Sequence, residues 1–198
     1  MSSTNGALST RVATTQQWRE VKAIVCDVDG TLTDGSIDID DHGVETKRFC
    51  VRDGLGIMLW RESGGRIGVI TGRRSLALTH RLRELGIESG VQGSKDKVEA
   101  LTAMCAEWGV TLGDCAFVGD DLPDLAAMRA CGLAIAVSGS APEILAIAHH
   151  VTAAHPGNGA LREVIECALK AQGRWDAVVA RYAGATSTAS ASVVRAIS

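Results

Sequence analysis

Two aspartates stand one residue apart, directly after the first strongly apolar segment of the chain. The segment is Ala23–Cys26, and the aspartates are Asp27 and Asp29. Successive side chains of a strand point to opposite faces. Past the end of the strand, where Gly30 allows a sharp turn, both carboxylates can reach one small site. Open α/β sheets bind ligands at this end of their strands, so the pattern indicates a site for a cation and an anionic group.

A surface turn is the simpler interpretation of an isolated Asp-x-Asp, because Asp and Gly are common turn residues. The stretch 27–31 is more specific, since it reads Asp-x-Asp-Gly-Thr. With equal residue usage, its four fixed positions arise by chance in only about one in a thousand chains of this length. At these residues the sequence resembles the haloacid dehalogenase superfamily of aspartyl-phosphate phosphatases, whose first motif is Asp-x-Asp-x-Thr.

More polar residues follow or flank later apolar segments. Taken singly, Thr71 could be an ordinary strand exit and Lys97 a solvated helix residue, and acids at a helix start favour the helix dipole. In a parallel sheet, however, the carboxyl ends of the strands share one edge, so the order acid pair, Thr, Lys and acid cluster predicts a single site. The residues in question are Thr71, Lys97, Asp120, Asp121 and Asp124.

These residue types suit the hydrolysis of a phosphomonoester, which enzymes accelerate by up to roughly 10²¹-fold. A hard cation such as Mg²⁺ prefers oxygen ligands and would hold a carboxylate beside phosphorus. The spacing alone shows only an acid pair. The resemblance implies that Asp27 is the nucleophile and forms an aspartyl-phosphate. We expect Asp29 to protonate the leaving oxygen and then to deprotonate the hydrolytic water.

We expect the other candidate residues to bind phosphate and metal. The Thr71 hydroxyl and the Lys97 ammonium would bind the transferring phosphoryl oxygens, and Lys97 would also offset the charge of Asp27. The expected Mg²⁺ ligands are Asp27, Asp120 and the backbone carbonyl of Asp29, with Asp121 and Asp124 supporting them or binding through water.

Further motifs narrow the resemblance. They are DVDGTLTDG (27–35), KRFCVRDG (47–54), ITGR (70–73), QGSKDK (92–97), VGDDLPD (118–124) and GNGALRE (157–163). With them, residues 21–182 are similar to the small capless phosphatases of 3-deoxy-2-keto sugar acid phosphates, of which the Kdo 8-phosphate phosphatases of lipopolysaccharide synthesis are best known. The resemblance implies a homotetramer assembled through a hairpin insertion, with each active site closed by a neighbouring subunit. The insertion at 35–50 is too short to be a cap domain.

One position bears on the substrate. After Thr-Gly, the Kdo enzymes typically carry Arg and the related nine-carbon phosphatases carry Glu. Arg73 stands here, and it could pair with the carboxylate of a sugar acid, although a solvated arginine at a helix start is the alternative. Gly72, Arg52 and Arg81 also match family positions and are candidate contacts to substrate or a neighbouring chain. The sequence departs from the family at Cys50, where Asn is usual, and at 155–159, where Gly-Gly-x-Gly is usual.

Composition excludes several other classes of protein. The net charge of −3 gives no basic field for nucleic acid, and aromatic residues make up only 4% of the 198 residues. Six scattered cysteines without a Cys-x-x-Cys pair suit reduced thiols in a cytoplasmic protein. The polar N-terminus predicts no signal peptide, and no apolar run approaches membrane-spanning length.

The alternation of strands and helices predicts an α/β fold with a doubly wound parallel sheet and right-handed crossovers. We predict one Rossmann-like domain at 18–182 with no cap, a disordered lead-in at 1–17 and a low-complexity tail at 183–198. The predicted strands are 21–28, 67–70, 89–93, 115–118, 133–137 and 150–152, with a hairpin of 36–39 and 44–49. The predicted helices are 53–63, 75–85, 96–108, 123–131, 141–148, 160–171 and 175–182.

Three alternatives to a Kdo 8-phosphate phosphatase stay open at this point. A phosphatase for a nine-carbon acid 9-phosphate of the sialic acid or KDN type would use the same chemistry. A non-catalytic oligomerising module of the same fold is disfavoured, because the complete set of candidate residues argues against lost catalysis. A phospho-receiver domain lacks a general acid two residues after its phosphorylated aspartate, and the Asp-x-Asp-Gly-Thr motif therefore argues against it.

Overall fold

The computed structural model describes residues 12–184. Its centre is a six-stranded, entirely parallel sheet with the order β5-β4-β1-β6-β7-β8. The strands of this sheet are β1 (Ala23–Cys26), β4 (Arg66–Thr71), β5 (Gly90–Gln92), β6 (Cys115–Gly119), β7 (Leu133–Ala136) and β8 (His150–Val151). A separate antiparallel hairpin consists of β2 (Asp38–Ile39) and β3 (Glu45–Thr46). The predicted fold class, a doubly wound parallel sheet with a hairpin insertion, is confirmed.

Helices cover both faces of the sheet, as a parallel sheet buried on both sides requires. They are α1 (Thr15–Glu20), α2 (Val51–Glu62), α3 (Leu76–Glu84), α4 (Lys97–Trp108), α5 (Leu125–Ala130), α6 (Pro142–Leu145), α7 (Ala160–Ala171) and α8 (Trp175–Tyr182). Alternate residues of β1 face different cores. Ile24 and Cys26 pack with α1, α2, α3, α7 and α8, whereas Ala23 and Val25 pack with α4, α5 and α6.

The sheet order reverses between β1 and β6. From β1 the chain adds β4 and β5 on one side, and from β6 it adds β7 and β8 on the other. The β1–β6 ladder extends one residue past β1, since the Asp27 amide donates to the Val118 carbonyl at 3.0 Å. A crevice opens beyond the carboxyl ends of the strands at such a reversal, and Asp27 lies at this point.

The hairpin turns at Asp40–Gly43 and is held by the Asp40 carboxylate, which accepts hydrogen bonds from the amides of His42 and Val44. Gly43 adopts φ +77°, as the sequence predicts for this turn. The paired strands contain only two residues each, fewer than predicted, because the remaining residues of 36–39 and 44–49 do not form ladder pairs.

The predicted disorder of 1–17 is wrong for its last residues. Thr14 and Gln17 form a capping box that starts α1, and Trp18 is buried in the core, so the folded unit begins before residue 18. Residues 1–11 and 185–198 lie outside the described residues, so the other predictions for the two tails stay untested. Among residues 12–184, the longest apolar helices fall short of what crossing a membrane requires.

Several boundaries also differ from prediction. α2 begins at Val51, two residues before the predicted start, and Asp53 in its first turn accepts hydrogen bonds from the start of α7. The predicted helix 123–131 is a 3₁₀ turn (Leu122–Asp124) followed by α5, and the predicted helix 141–148 is the single turn α6. α7 and α8 have the predicted bounds.

Candidate active site

Asp27 lies directly after β1 and is almost fully buried. Its Oδ1 lies 2.8 Å from Nζ of Lys97, at a geometry that makes no hydrogen bond. Burial and the nearby carboxylate of Asp124 raise the pKa of Asp27, Lys97 opposes both effects, and the net pKa is about 6. The carboxylate is thus ionised at neutral pH, although it sits among other acids.

Asp120 follows β6 and meets Asp27 across the point where the sheet order reverses. Carboxylate oxygens of Asp27, Asp120 and Asp124, here called the acid cluster, all lie within 4.8 Å of one another. Burial, together with the charges of Asp124 and Asp27, raises the pKa of Asp120 to about 7. The Thr31 hydroxyl donates to Asp120 at 3.1 Å, and a Cβ on Gly30 (φ +90°) would overlap with the same carboxylate.

The acid cluster fits a hard divalent cation. Two buried carboxylates and one half-buried carboxylate repel one another, and this repulsion contributes to the raised pKa values of Asp27 and Asp120. Mg²⁺ takes oxygen ligands at this kind of site and would remove the repulsion. The backbone carbonyl of Asp29 as a further ligand stays a prediction.

Asp124 and Asp121 have partners within the chain. Asp124 is buried, and its Oδ1 accepts from Lys97 Nζ at 2.6 Å while its Oδ2 accepts from the Asp120 amide at 3.0 Å. Asp121 is exposed and caps the 3₁₀ turn by accepting from the Leu122 amide at 2.8 Å. Asp124 therefore belongs to the acid cluster, which Asp121 does not join.

Lys97 is placed by the first turn of α4, where the Asp96 side chain caps the amides of Val98 and Glu99. Its ammonium lies between Asp27 and Asp124. Burial would lower the pKa of Lys97, but the two carboxylates outweigh it and the pKa is raised. A permanently charged lysine beside the nucleophile candidate is the arrangement that the sequence predicts.

Thr71 and Gly72 lie where β4 ends, on the strand next to β1. Thr71 is buried, and its Oγ1 accepts a hydrogen bond from the Arg73 amide at 3.1 Å. A Cβ on Gly72 would meet the nearest atom, the carbonyl oxygen of Ser94, at 3.7 Å. Both residues lie at the sheet edge that carries the acid cluster.

Asp29 does not join the acid cluster. Its carboxylate forms an ion pair with the ammonium of Lys47 and lies 3.8 Å from Nε of Arg73. The sequence analysis missed Lys47, because a lysine in a polar hairpin is usually solvated. Its presence in the motif at 47–54 was the available indication. The structure thus brings Asp29, the predicted acid–base residue, close to Arg73, the predicted substrate-binding residue. Lys47 connects the hairpin insertion to Asp29.

The glycine-rich segment before α7 touches the loop after β1. The Gly157 amide donates to the Thr31 carbonyl at 3.2 Å. Arg52 donates through Nη2 to the backbone and side-chain oxygens of Asn158, at 2.7 and 3.0 Å. Asp53, which the sequence analysis also missed, accepts from the Gly159 amide at 3.1 Å. Arg52 thus positions this segment, and none of its described contacts reaches the acid cluster.

Arg81 lies on α3, away from the acid cluster. Its guanidinium pairs with Glu84 at 2.9 Å and stands 5.8 Å from the centre of the Phe49 ring. The contact with Phe49 connects α3 to the segment before α2, whereas the pair with Glu84 lies within α3. A role for Arg81 towards substrate or a neighbouring chain stays a prediction.

Comparisons with known proteins agree with this geometry. The haloacid dehalogenase-like hydrolase family matches residues 91–164. The 3-deoxy-D-manno-octulosonate 8-phosphate phosphatase KdsC of Haemophilus influenzae is 38% identical over 80% of this chain and 88% of its own length. The KdsC of Yersinia pestis is 40% identical over 79% of this chain and 84% of its own length.

A solved structure resembles the fold and has ligands bound. It is the 3-deoxy-D-manno-octulosonate 8-phosphate phosphatase of Moraxella catarrhalis, in complex with magnesium ion, phosphate ion and KDO. It superposes with a TM-score of 0.83 and 42% identity, over 85% of this chain and 97% of the other. The chain therefore belongs to the 3-deoxy-D-manno-octulosonate 8-phosphate phosphatase family of haloacid dehalogenase-like hydrolases.

Proposed function

We propose that this chain is a Mg²⁺-dependent phosphatase that hydrolyses 3-deoxy-D-manno-octulosonate 8-phosphate to Kdo and phosphate. The observation that carries the proposal is the largely buried acid cluster with Lys97, placed where the order of the sheet reverses. Because the chain shares family and fold with phosphatases of this substrate, the same reaction is the one that its geometry supports best.

In this proposal Asp27 is the nucleophile. Its carboxylate attacks phosphorus, and the bond from phosphorus to the sugar oxygen breaks as that oxygen takes a proton from Asp29. Asp29 then removes a proton from water, which attacks phosphorus and releases phosphate and the Asp27 carboxylate. Lys97 keeps Asp27 ionised and, with the Thr71 hydroxyl, binds the oxygens of the transferring group.

The acid cluster would hold Mg²⁺ through Asp27 and Asp120. The bound cation supplies positive charge that offsets the phosphate dianion as the nucleophile approaches. Asp124 supports this arrangement by fixing Lys97 and the Asp120 amide.

The sugar-acid specificity depends on Arg73 in this proposal. Its side chain is 43% exposed and reaches the edge of the site beside Asp29, so it can meet a carboxylate on the substrate. A nine-carbon acid 9-phosphate is the alternative substrate, and it carries the same two anionic groups.

We also propose a cytoplasmic homotetramer that acts in lipopolysaccharide precursor synthesis. Apolar side chains of the hairpin and of the adjoining face of α2 are exposed, which supports an interface there. They are Ile37 (49%), Ile39 (61%), Val44 (55%), Val51 (80%) and Met58 (44%). All six cysteines are free, which suits a reducing compartment. Deletion of the hairpin is expected to give monomers with poor turnover, measured by light scattering and phosphate release, and an active monomer would contradict the shared site.

The test of the proposed function is phosphate release in the presence of Mg²⁺ from three substrates. They are Kdo 8-phosphate, a nine-carbon acid 9-phosphate and an aryl phosphate. We expect kcat/KM to be highest for Kdo 8-phosphate by at least about tenfold, or about 1.4 kcal/mol. Preferred turnover of the nine-carbon acid would keep the mechanism and reject the substrate, and turnover of none would favour the non-catalytic module.

A further inference from the structure

A carboxylate on α2 caps the start of α7, which follows the glycine-rich segment (155–159). The N-cap residue of α7 is Gly159, which has no side chain that could accept from the first amides of the helix. Asp53 takes this role from outside the helix. Its Oδ2 accepts from the Gly159 amide at 3.1 Å, and its Oδ1 accepts from the Arg162 amide at 2.8 Å. Both oxygens therefore serve α7 in the way that a capping side chain normally serves its own helix.

The contact between α2 and α7 at this point is close. Asp53 is only 1% exposed, and burial raises the pKa of its carboxyl group, while the two amides and the charge of Arg52 oppose this effect. Gly56 lies on the same face of α2, and a Cβ there would stand 3.2 Å from Cα of Arg162. A buried carboxylate that loses its donors is costly, so Asp53 fixes the start of α7 relative to α2.

The glycine-rich segment in turn touches the loop that carries the reaction site. Gly157 adopts φ +61°, and its amide donates to the Thr31 carbonyl at 3.2 Å. A Cβ on Gly157 would lie 2.5 Å from the amide nitrogen of Asp34, so the two backbones are in direct contact. The Thr31 hydroxyl donates to Asp120, a proposed Mg²⁺ ligand, at 3.1 Å. A continuous series of contacts thus connects Asp53 to Asp120 through the segment and Thr31.

We propose that Asp53 is a positioning residue for the metal site. By fixing the glycine-rich segment against the loop after β1, it holds Thr31 where its hydroxyl orients Asp120 for Mg²⁺. This inference rests on the proposed function, because Asp120 is a metal ligand only in that reaction. Groups that orient a metal ligand directly typically change metal affinity by about tenfold to hundredfold. Asp53 acts through further contacts, so a smaller effect is expected from its loss.

The test measures Mg²⁺ binding by the full chain without substrate, using isothermal titration calorimetry. Asp53→Asn keeps the size of the side chain but replaces one acceptor oxygen with a donor, so one amide of α7 loses its partner. The dissociation constant of Mg²⁺ is expected to rise by about threefold to tenfold. A residue that only stabilises the fold would lower the melting temperature and the number of binding sites, and the dissociation constant of the folded chains would not change.

The matched control is Asp114→Asn. Asp114 precedes β6, at the opposite end of that strand from Asp120, and it also accepts from a backbone amide, that of Thr111, at 2.9 Å. This variant is expected to lower the melting temperature but to keep the dissociation constant of Mg²⁺ within about twofold, because distant sites act independently. An unchanged dissociation constant in Asp53→Asn, or an equal increase in the control, overturns the proposal.

A double variant tests the route through Thr31. Thr31→Val removes the hydroxyl and is expected to weaken Mg²⁺ binding by itself. If Asp53 acts through this hydroxyl, adding Asp53→Asn to Thr31→Val should raise the dissociation constant by less than about twofold more. Fully additive effects of the two substitutions would contradict the proposed route and overturn the proposal.

Gly157→Ala reaches the same contact from the other side and keeps Asp53 in place. Its Cβ forces the segment away from the loop, so Mg²⁺ binding is expected to weaken here too. An unchanged dissociation constant in Gly157→Ala overturns the proposal even if Asp53→Asn does not fold. Failure of the wild type to bind Mg²⁺ would reject both this inference and the metal site of the proposed function. Failure to hydrolyse Kdo 8-phosphate would reject only the proposed substrate, and the titration still decides on Asp53.

Discussion

The carboxyl ends and the amino ends of the central strands, here called the carboxyl edge and the amino edge, carry opposite charges. The two edges differ in how these charges are compensated. At the carboxyl edge, the three carboxylates of the acid cluster lie close together beside one lysine, and the pKa values of Asp27 and Asp120 are raised. At the amino edge, a cleft of about 830 Å³ is lined by cations and, among residues 12–184, by no acidic side chain. Its cations are Arg19, Lys22, Arg66, Lys170 and Arg174.

Four of these five cations have structural partners, and Arg66 is the exception among residues 12–184. Arg19 donates to the Ala171 carbonyl at the end of α7, and Arg174 donates to the Ser63 carbonyl after α2. Lys22 pairs with Asp114 at 2.8 Å. Side chains like these satisfy the free carbonyls of helix ends. The partners of these cations thus explain the cleft at the amino edge as part of the fold. The acid cluster, by contrast, holds like charges together at a cost in free energy that a bound cation would remove, so its charge locates the candidate site better than cavity volume does.

The largest expected effect is at Asp27. The Asp27→Asn variant keeps the shape of the side chain but removes the nucleophile, so turnover should fall by more than about 10⁴-fold. Circular dichroism and light scattering should show an unchanged fold and oligomer. Retained turnover in a folded variant would remove Asp27 from the role proposed for it.

The second largest effect on turnover is expected at Asp29. In Asp29→Asn the side chain can neither give a proton to the leaving oxygen nor take one from water, and kcat should fall by about 10²- to 10⁴-fold. An aryl phosphate with a good leaving group needs less protonation and should be affected less. Equal losses for good and poor leaving groups would argue against the acid role.

The edges should also respond oppositely to pH. In chelator, Asp27 and Asp120 have folded-state pKa values above the unfolded value, so their contribution favours folding at low pH and is lost as pH rises from about 4 to about 7. The melting temperature should therefore decline by about 5 °C or more over this range, and Asp120→Asn should reduce the decline. Added Mg²⁺ should raise the melting temperature at pH 7.5, and it should restore the turnover that the chelator removes.

At the amino edge, hydrogen bonds from Lys22 and the Thr111 amide lower the pKa of Asp114 to about 2. Its contribution to stability is therefore present above the unfolded pKa and is lost as pH falls from about 4 towards 2. Asp114→Asn should leave the decline between pH 4 and 7 unchanged. If it reduced that decline as Asp120→Asn does, the assignment of the pH response to the acid cluster would be wrong.

The smallest effect is expected at Arg66, whose side chain is exposed and has no partner among residues 12–184. Arg66→Ala should leave kcat/KM unchanged and shift the free energy of unfolding by no more than about 0.5 kcal/mol. The Trp60 indole would still donate to the backbone carbonyl of residue 66, as it does now at 2.7 Å. A large loss of turnover would mean that the amino edge takes part in function.

The sequence predicts most of what lies on regular elements. Strand ends can be located from apolar runs, so Asp27, Thr71 and Asp120 could be placed at one edge before the structure was available. The contacts of the hairpin could not, because two-residue strands leave the orientation of Lys47 and Glu45 to tertiary packing. The role of Asp53 could not be predicted for a related reason, since the amides that it binds lie more than 100 residues away in the sequence.

The central claim is that Asp27, in the acid cluster, takes the phosphoryl group. The most direct measurement is an acid quench during the first turnover of substrate labelled in its phosphate, followed by peptide mapping of the wild-type chain. The account predicts a hydroxylamine-sensitive label on the peptide that contains Asp27, and none in Asp27→Asn. Release of labelled phosphate at full rate with the label on another residue, or with none on Asp27 at any quench time, would contradict it.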